Sequence, residues 1–174
     1  FLGMHFFNPP RYLHLLEIIA APRTSTETLA TVRQFSERVL GKGTIRAKDV
    51  PGFIANRLGV YGMVLALRML DEFELTIDEV DALTGPALGR AKSATFRTAD
   101  LTGLDVLNHV AKELTHATGE DFALPDWVQQ LIAKGQLGEK SGAGFYRKVG
   151  KDIQTLDRKT LEYGPQQKVE SQEL

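Results

Sequence analysis

The sequence predicts a mainly α protein whose helices follow the tail of a layered α/β domain, and three observations carry that reading. Two apolar runs, Gly3-Met4-His5-Phe6-Phe7 and Leu13 to Ile19, flank the breaker Asn8-Pro9-Pro10. A capping signal at Thr24-Ser25-Thr26-Glu27 then opens a helix, which a short β-branched run follows. From Pro51-Gly52 to about residue 147 the apolar spacing is helical. With 174 residues, 43% hydrophobic content and a net charge of −1, the chain can bury a core the size of one domain or slightly more.

The same composition excludes several functions. Near-neutral charge with dispersed basic residues gives no footprint for nucleic acid. The absence of cysteine removes disulfides, thiolate metal sites and a cysteine nucleophile. The four histidines, at 5, 14, 109 and 116, form no helical ligand pair, so no metal site is expected. No apolar run reaches the length of a membrane span. Because the sequence opens without methionine inside an apolar extended run, it is expected to be a piece of a longer polypeptide.

Taken in order, the first element is a strand through His5. Pro10 restricts Pro9 to extended backbone and neither proline can donate to a ladder, so the chain must turn there. If the second run folds back as a strand, a turn centred near Arg11 sets His5 opposite Glu17. Leu13, Leu15, Glu17 and Ile19 share one strand face, on which Glu17 is the only polar residue, and the other face is also mostly apolar. Such a strand is expected to be buried on both sides, which makes an unpaired Glu17 costly. The alternatives are a core histidine bonded to backbone and a glutamate on an exposed face.

Thr24-Ser25-Thr26-Glu27 has capping-box form and opens a helix with Leu29, Val32, Ser36, Val39 and Leu40 on one side, ended by Gly41. Thr44 to Lys48 follows as a strand. Beyond Pro51-Gly52, residues 53–73 carry apolar side chains on nearly every side and predict a buried central helix, with Gly59 and Gly62 explained by close approach of a neighbour. A second capping box, Thr76-Ile77-Asp78-Glu79, opens a short helix that ends near Gly85-Pro86. Leu104, Leu107, Val110 and Leu114 define another, stopped near Gly119, and Pro125-Asp126-Trp127 begins one that Gly135 closes. A glycine-rich loop at 136–148 leads into an aromatic extended piece. The rest, rich in charge and glutamine, reads as a linker or tail. The expected division is 1–50, 51–148 and 149–174.

Four motifs in register, Gly3-Met4-His5-Phe6-Phe7-Asn8-Pro9-Pro10, Leu15-Leu16-Glu17-Ile18-Ile19, Asp49-Val50-Pro51-Gly52-Phe53-Ile54-Ala55-Asn56-Arg57 and Lys140-Ser141-Gly142-Ala143-Gly144-Phe145-Tyr146, closely resemble the L-3-hydroxyacyl-CoA dehydrogenase family. The stretch from Thr84 to Asp100 is more like its multifunctional fatty-acid oxidation members. The resemblance implies that residues 1–50 are the C-terminal remnant of an NAD-binding Rossmann domain. It implies that residues 51–148 are the helical C-terminal domain, which binds substrate and commonly forms a homodimer. The tail would lead towards a further module such as an enoyl-CoA hydratase. Compartment would be the bacterial cytoplasm, or an organellar matrix in a eukaryote. The dinucleotide fingerprint is not in this chain, since Gly41-Lys42-Gly43 and Gly142-Ala143-Gly144 both lack the third glycine.

The implied reaction is NAD-dependent oxidation of 3-hydroxyacyl-CoA to 3-ketoacyl-CoA. It needs a base at the C3 hydroxyl as hydride leaves C3. His5 suits that role because imidazole titrates near neutrality, and Glu17 would orient it. Asn56, just after the Pro-Gly break, completes the expected catalytic set by donating to a substrate oxygen or to the histidine. Its alternatives are helix capping or a buried structural amide. By resemblance Asn8 lies near the nicotinamide of NAD and Lys140 reaches the dinucleotide, although a loop lysine is as readily just solvated. Arg90, Lys92 and Arg97 could attract coenzyme A phosphates, and His14, His109 and His116 read as structural or exposed. A reading of another class is an isolated, non-catalytic acyl-CoA-binding or dimerisation module, with the fragment inactive alone.

Overall fold

A computed structural model describes residues 1–169 as two compact units, Phe1–Leu58 and a second that begins at Gly59. In the first unit β1 (Leu2–Phe6), β2 (Leu15–Ala20) and β3 (Gly43–Ala47) form one sheet in the order β1-β2-β3. β1 is antiparallel to β2, and β2 is parallel to β3 through the crossover helix α1 (Thr26–Arg38). β2 is buried on both faces from Leu16 to Ile19, as its composition requires. The capping box expected at Thr24 is replaced by a simpler cap, in which Ser25 accepts the Thr28 amide and Thr24 takes the amide of Ala21. Of the expected inner row of α1, Ser36 is fully buried, its hydroxyl donating to the Val32 carbonyl, whereas Val39 and Leu40 are exposed.

The long helix α2 spans Ala55–Glu72. It starts after Phe53 because Gly52 and Phe53 both hold left-handed backbone, φ 74° and 46°, through which a right-handed helix cannot propagate. The expectation of burial all round is not met. Val60, Val64, Leu67 and Leu70 are buried on one side, while Tyr61, Leu65, Met69 and Phe73 form an exposed apolar row on the other. Nor is there a close neighbour at the two helical glycines among the described residues, since a Cβ at Gly59 or Gly62 would meet nothing within 4 Å.

The core of the second unit is assembled from α2, α3 (Ile77–Thr84), α4 (Phe96–Thr102), α5 (Leu104–Thr118) and α6 (Asp126–Ala133), around Leu67, Leu70, Phe96, Leu104, Phe122 and Phe145. The Thr76–Glu79 capping box is present in both directions, and Gly119 ends α5 in left-handed conformation. The short helix α4 carries no periodic signal of its own. Its start is fixed from a distance by Asp81, whose carboxylate accepts the amides of Thr95, Phe96 and Arg97.

Residues 149 onward, expected as a linker or tail, instead supply most of a second antiparallel sheet. β4 (Tyr146–Val149) pairs with β5 (Asp152–Leu156), which pairs with β6 (Tyr163–Pro165). Few apolar residues suffice because polar groups are satisfied by specific partners: Asp78 accepts from the Thr155 hydroxyl at 3.0 Å, the Gln166 amide group at 3.2 Å and the Gln167 backbone N–H at 2.9 Å. Among the described residues from 149 onward, only Thr155 and Leu156 are buried. Positions 170–174 of that expectation lie outside the described residues.

The glycine-rich loop closes around Asp100. Its buried carboxylate accepts the amides of Phe145 at 2.9 Å and Tyr146 at 2.8 Å, and the Tyr163 hydroxyl donates to the Gly144 carbonyl at 2.6 Å. A Cβ on Gly144 would fall inside that carboxylate, and one on Gly138 would collide with the Asp100 backbone. Burial pushes the Asp100 carboxyl up to about 6, even though both amides and Arg97 favour the ionised form. Gly144→Ala should therefore displace Asp100 and strand two buried amides, lowering the stability of the second unit by ~2–4 kcal/mol. Urea unfolding followed by fluorescence of Trp127, which packs edge-on to Phe145, checks this.

Candidate active site

Strand register alone brings the first two candidate residues together. His5 on β1 lies directly opposite Glu17 on β2, the pair set by the turn that Asn8-Pro9-Pro10 imposes. The His5 Nδ1 lies 2.6 Å from Glu17 Oε2. Glu17 is completely buried, whereas the His5 side chain keeps 27% of its exposure. With Nδ1 engaged by a carboxylate, that nitrogen holds the proton in the neutral ring and Nε2 is left as the basic nitrogen. The rings of Phe7 and Phe53 flank the imidazole, with centroids 4.7 and 5.5 Å away.

The other oxygen of Glu17 has partners that the sequence did not reveal. Oε1 accepts the backbone amides of Ile54 at 2.9 Å and Ala55 at 3.0 Å, the first residues of α2 and the turn before it. Burial raises the carboxyl's pKa, but the bonds from His5, Ala55 and Ile54 and the nearby imidazole more than offset it, so the net shift is downward. A carboxylate so held favours its ionised form. The only visible signal for this cradle was the Pro51-Gly52 break, which marks a turn without saying where its amides point.

Asn56 lies in the first turn of α2, one residue beyond Ala55, and is exposed. Glu17 takes the helix's leading amides, so capping is not left to Asn56. Asn8 is exposed at the end of β1, at the start of a cis bond to Pro9. Lys140 is in the second unit, where its ammonium pairs with Asp105 at 2.5 Å. Arg97 is also committed locally, lying 4.7 Å over the Tyr146 ring and donating to Gln166. Arg90, Lys92, His109 and His116 are exposed, and His14 faces the Gly41 carbonyl at 3.5 Å.

As for NAD, the turn from β2 into α1 reads Ala21-Pro22-Arg23-Thr24-Ser25, with a proline and no glycine where a pyrophosphate would need close backbone approach. This chain's residues do not by themselves form a dinucleotide cradle. Among the described residues no three His, Asp or Glu side chains converge as metal ligands, and no helix is long and apolar enough to cross a membrane.

Comparison with known proteins gives the arrangement its context. Residues 1–50 match the 3-hydroxyacyl-CoA dehydrogenase NAD binding domain, and residues 52–148 match the 3-hydroxyacyl-CoA dehydrogenase C-terminal domain. A Deinococcus radiodurans protein named "Probable 3-hydroxyacyl-CoA dehydrogenase" is 55% identical over 86% of this chain and 44% of its own length. A Bacillus subtilis protein of the same name is 47% identical over 100% of this chain and 23% of its own length. The crystal structure of M. tuberculosis FadB2 superposes with a TM-score of 0.77 at 34% identity, covering 85% of this chain and 52% of that one. The chain thus spans less than half the length of these two sequence relatives.

Because the Glu17 carboxyl titrates below its ordinary 4.5 in the folded state, the stability it contributes is complete above that value. It is lost as pH falls through the lowered folded value. Hydrogen exchange of the β2 amides should accelerate in that acid window in the wild type, and Glu17→Gln should flatten the dependence.

Proposed function

The chain belongs to the 3-hydroxyacyl-CoA dehydrogenase family, and from that membership we propose that it supplies the proton-transfer half of an NAD-dependent dehydrogenase. The enzyme would oxidise 3-hydroxyacyl-CoA to 3-ketoacyl-CoA in fatty-acid β-oxidation. The observation that carries this is the 2.6 Å contact between a partly exposed imidazole and a fully buried carboxylate. His5 Nε2 takes the proton of the C3 hydroxyl as the C3–H bond breaks, and Glu17 balances the imidazolium that forms. NAD, held mainly by residues outside this chain, would accept the hydride. Asn56 would donate its carboxamide to the substrate oxygen or to His5. Asn8 would approach the nicotinamide end, and Lys140 would have to give up Asp105 to reach the dinucleotide.

Residues 1–50 are read as the last strands and helix of the Rossmann domain. The support is that β1 is an edge strand of apolar sequence, with Leu15 on β2 and Ile45 on β3 left 42% and 41% exposed. The full-length alignment with only 23% of the B. subtilis relative supports further domains in the complete polypeptide, an enoyl-CoA hydratase among them by resemblance. The bacterial relatives favour the cytoplasm as its compartment, with an organellar matrix as the eukaryotic counterpart. A homodimer fits the exposed row Tyr61, Leu65, Met69 and Phe73, with Gly62 beside it open to close approach. The missing phosphate cradle favours a second reading for the isolated chain, a non-catalytic acyl-CoA-binding or dimerisation module. Calorimetry should then give an acyl-CoA signal and no NADH signal.

In the complete polypeptide, acetoacetyl-CoA should drive NADH oxidation, followed by absorbance. His5→Gln should lower turnover by about 10²–10⁴-fold with folding intact. Wild-type turnover in that variant would remove His5 from the mechanism. For the dimer, sedimentation of the 174-residue chain should show a two-chain species that Leu65→Glu converts to monomer.

A further inference from the structure

Glu17 is held at both ends, and only one end is the histidine. Its Oε1 accepts two consecutive amides, Ile54 N–H at 2.9 Å and Ala55 N–H at 3.0 Å, while Oε2 meets His5 Nδ1 at 2.6 Å. Both amides can aim at one oxygen because the chain before them is bent by two successive left-handed residues. Gly52 at φ 74° adopts that conformation freely, but Phe53 at φ 46° does so at a cost. That strained residue is the one whose ring lies 5.5 Å from the His5 ring. His5 is the only ionisable side chain bonded to Glu17 among the described residues, so the remaining compensation for its burial comes from backbone.

We infer that the turn Gly52-Phe53-Ile54-Ala55 is a positioning element for the His5–Glu17 pair. The two amides fix one carboxylate oxygen, leaving the other to select the Nδ1–H form of the histidine, and the Phe53 ring walls the imidazole on one side. Ile54 and Ala55 touch neither substrate nor cofactor in this role and act through Glu17. The consequence for turnover rests on the reading of His5 as proton acceptor, while the coupling between turn and carboxylate does not.

The test is carbon and amide-proton magnetic resonance of the 174-residue chain. The Glu17 Cδ signal should titrate below the ordinary carboxyl range, and the amide protons of Ile54 and Ala55 should move with the same midpoint. Replacing the Ile54–Ala55 peptide bond by an ester removes the Ala55 donor without altering shape, and should raise the Glu17 midpoint by about one pH unit. Amide signals indifferent to the Glu17 titration, or a midpoint unchanged in the ester, would overturn the inference. If the ester protein fails to fold, the wild-type amide titration alone decides. Coupled titration in a complete polypeptide that lacks dehydrogenase activity would refute the proposed function and leave the positioning element standing.

Discussion

A single buried carboxylate organises the first unit. Glu17 has no exposed surface and sits in an otherwise apolar strand, where an unpaired charge costs several kcal/mol, on the order of the whole stability of a domain. It is tolerated because one oxygen accepts two backbone amides and the other meets an imidazole. Three separate stretches of sequence therefore have to arrive together: β1 with His5, β2 with Glu17 and the turn that starts α2. Removing any one partner leaves the charge incompletely compensated, which is why the geometry of the site and the stability of the unit are the same problem.

The second unit solves a similar problem with Asp100 and Asp81. Each is a mostly buried carboxylate that accepts consecutive backbone amides, Asp100 from Phe145 and Tyr146, Asp81 from Thr95, Phe96 and Arg97. Burial raises both carboxyls, in contrast to Glu17, whose histidine tips the balance the other way. Of the two glycines in the Lys140 to Tyr146 motif, Gly144 answers to packing around Asp100, whereas Gly142 serves a left-handed turn at φ 79° with open space at its Cβ position. A motif that marks a family can thus carry chemistry at one position and meet a steric requirement at another, and here Gly144 belongs to the steric kind.

Much of this was legible in the residues. The prolines at 9 and 10 forced the turn, and the two-residue period of the strands then fixed which side chains face each other, so His5 and Glu17 could be paired without coordinates. The capping box at Thr76 and the glycine stop at 119 were local signals and emerged as expected. What failed was everything decided by distant partners. The helix α4 depends on Asp81, fifteen residues before Phe96, and the strands after residue 149 depend on Asp78, far from them in sequence. The amide cradle on Glu17 depends on left-handed backbone at Phe53, where side-chain identity gives no hint. The apolar row Tyr61, Leu65, Met69 and Phe73 is exposed because apolar spacing marks a helix face without saying that another element covers it.

The central claim is that Glu17 holds His5 with the proton on Nδ1 and Nε2 free to accept another. Nitrogen resonance of the His5 ring, recorded at a pH where the imidazole is neutral, tests it most directly. The expected result is a protonated Nδ1 and an unprotonated Nε2, lost to a tautomer mixture in Glu17→Gln. A ring that carries its proton on Nε2 in the wild type would contradict it.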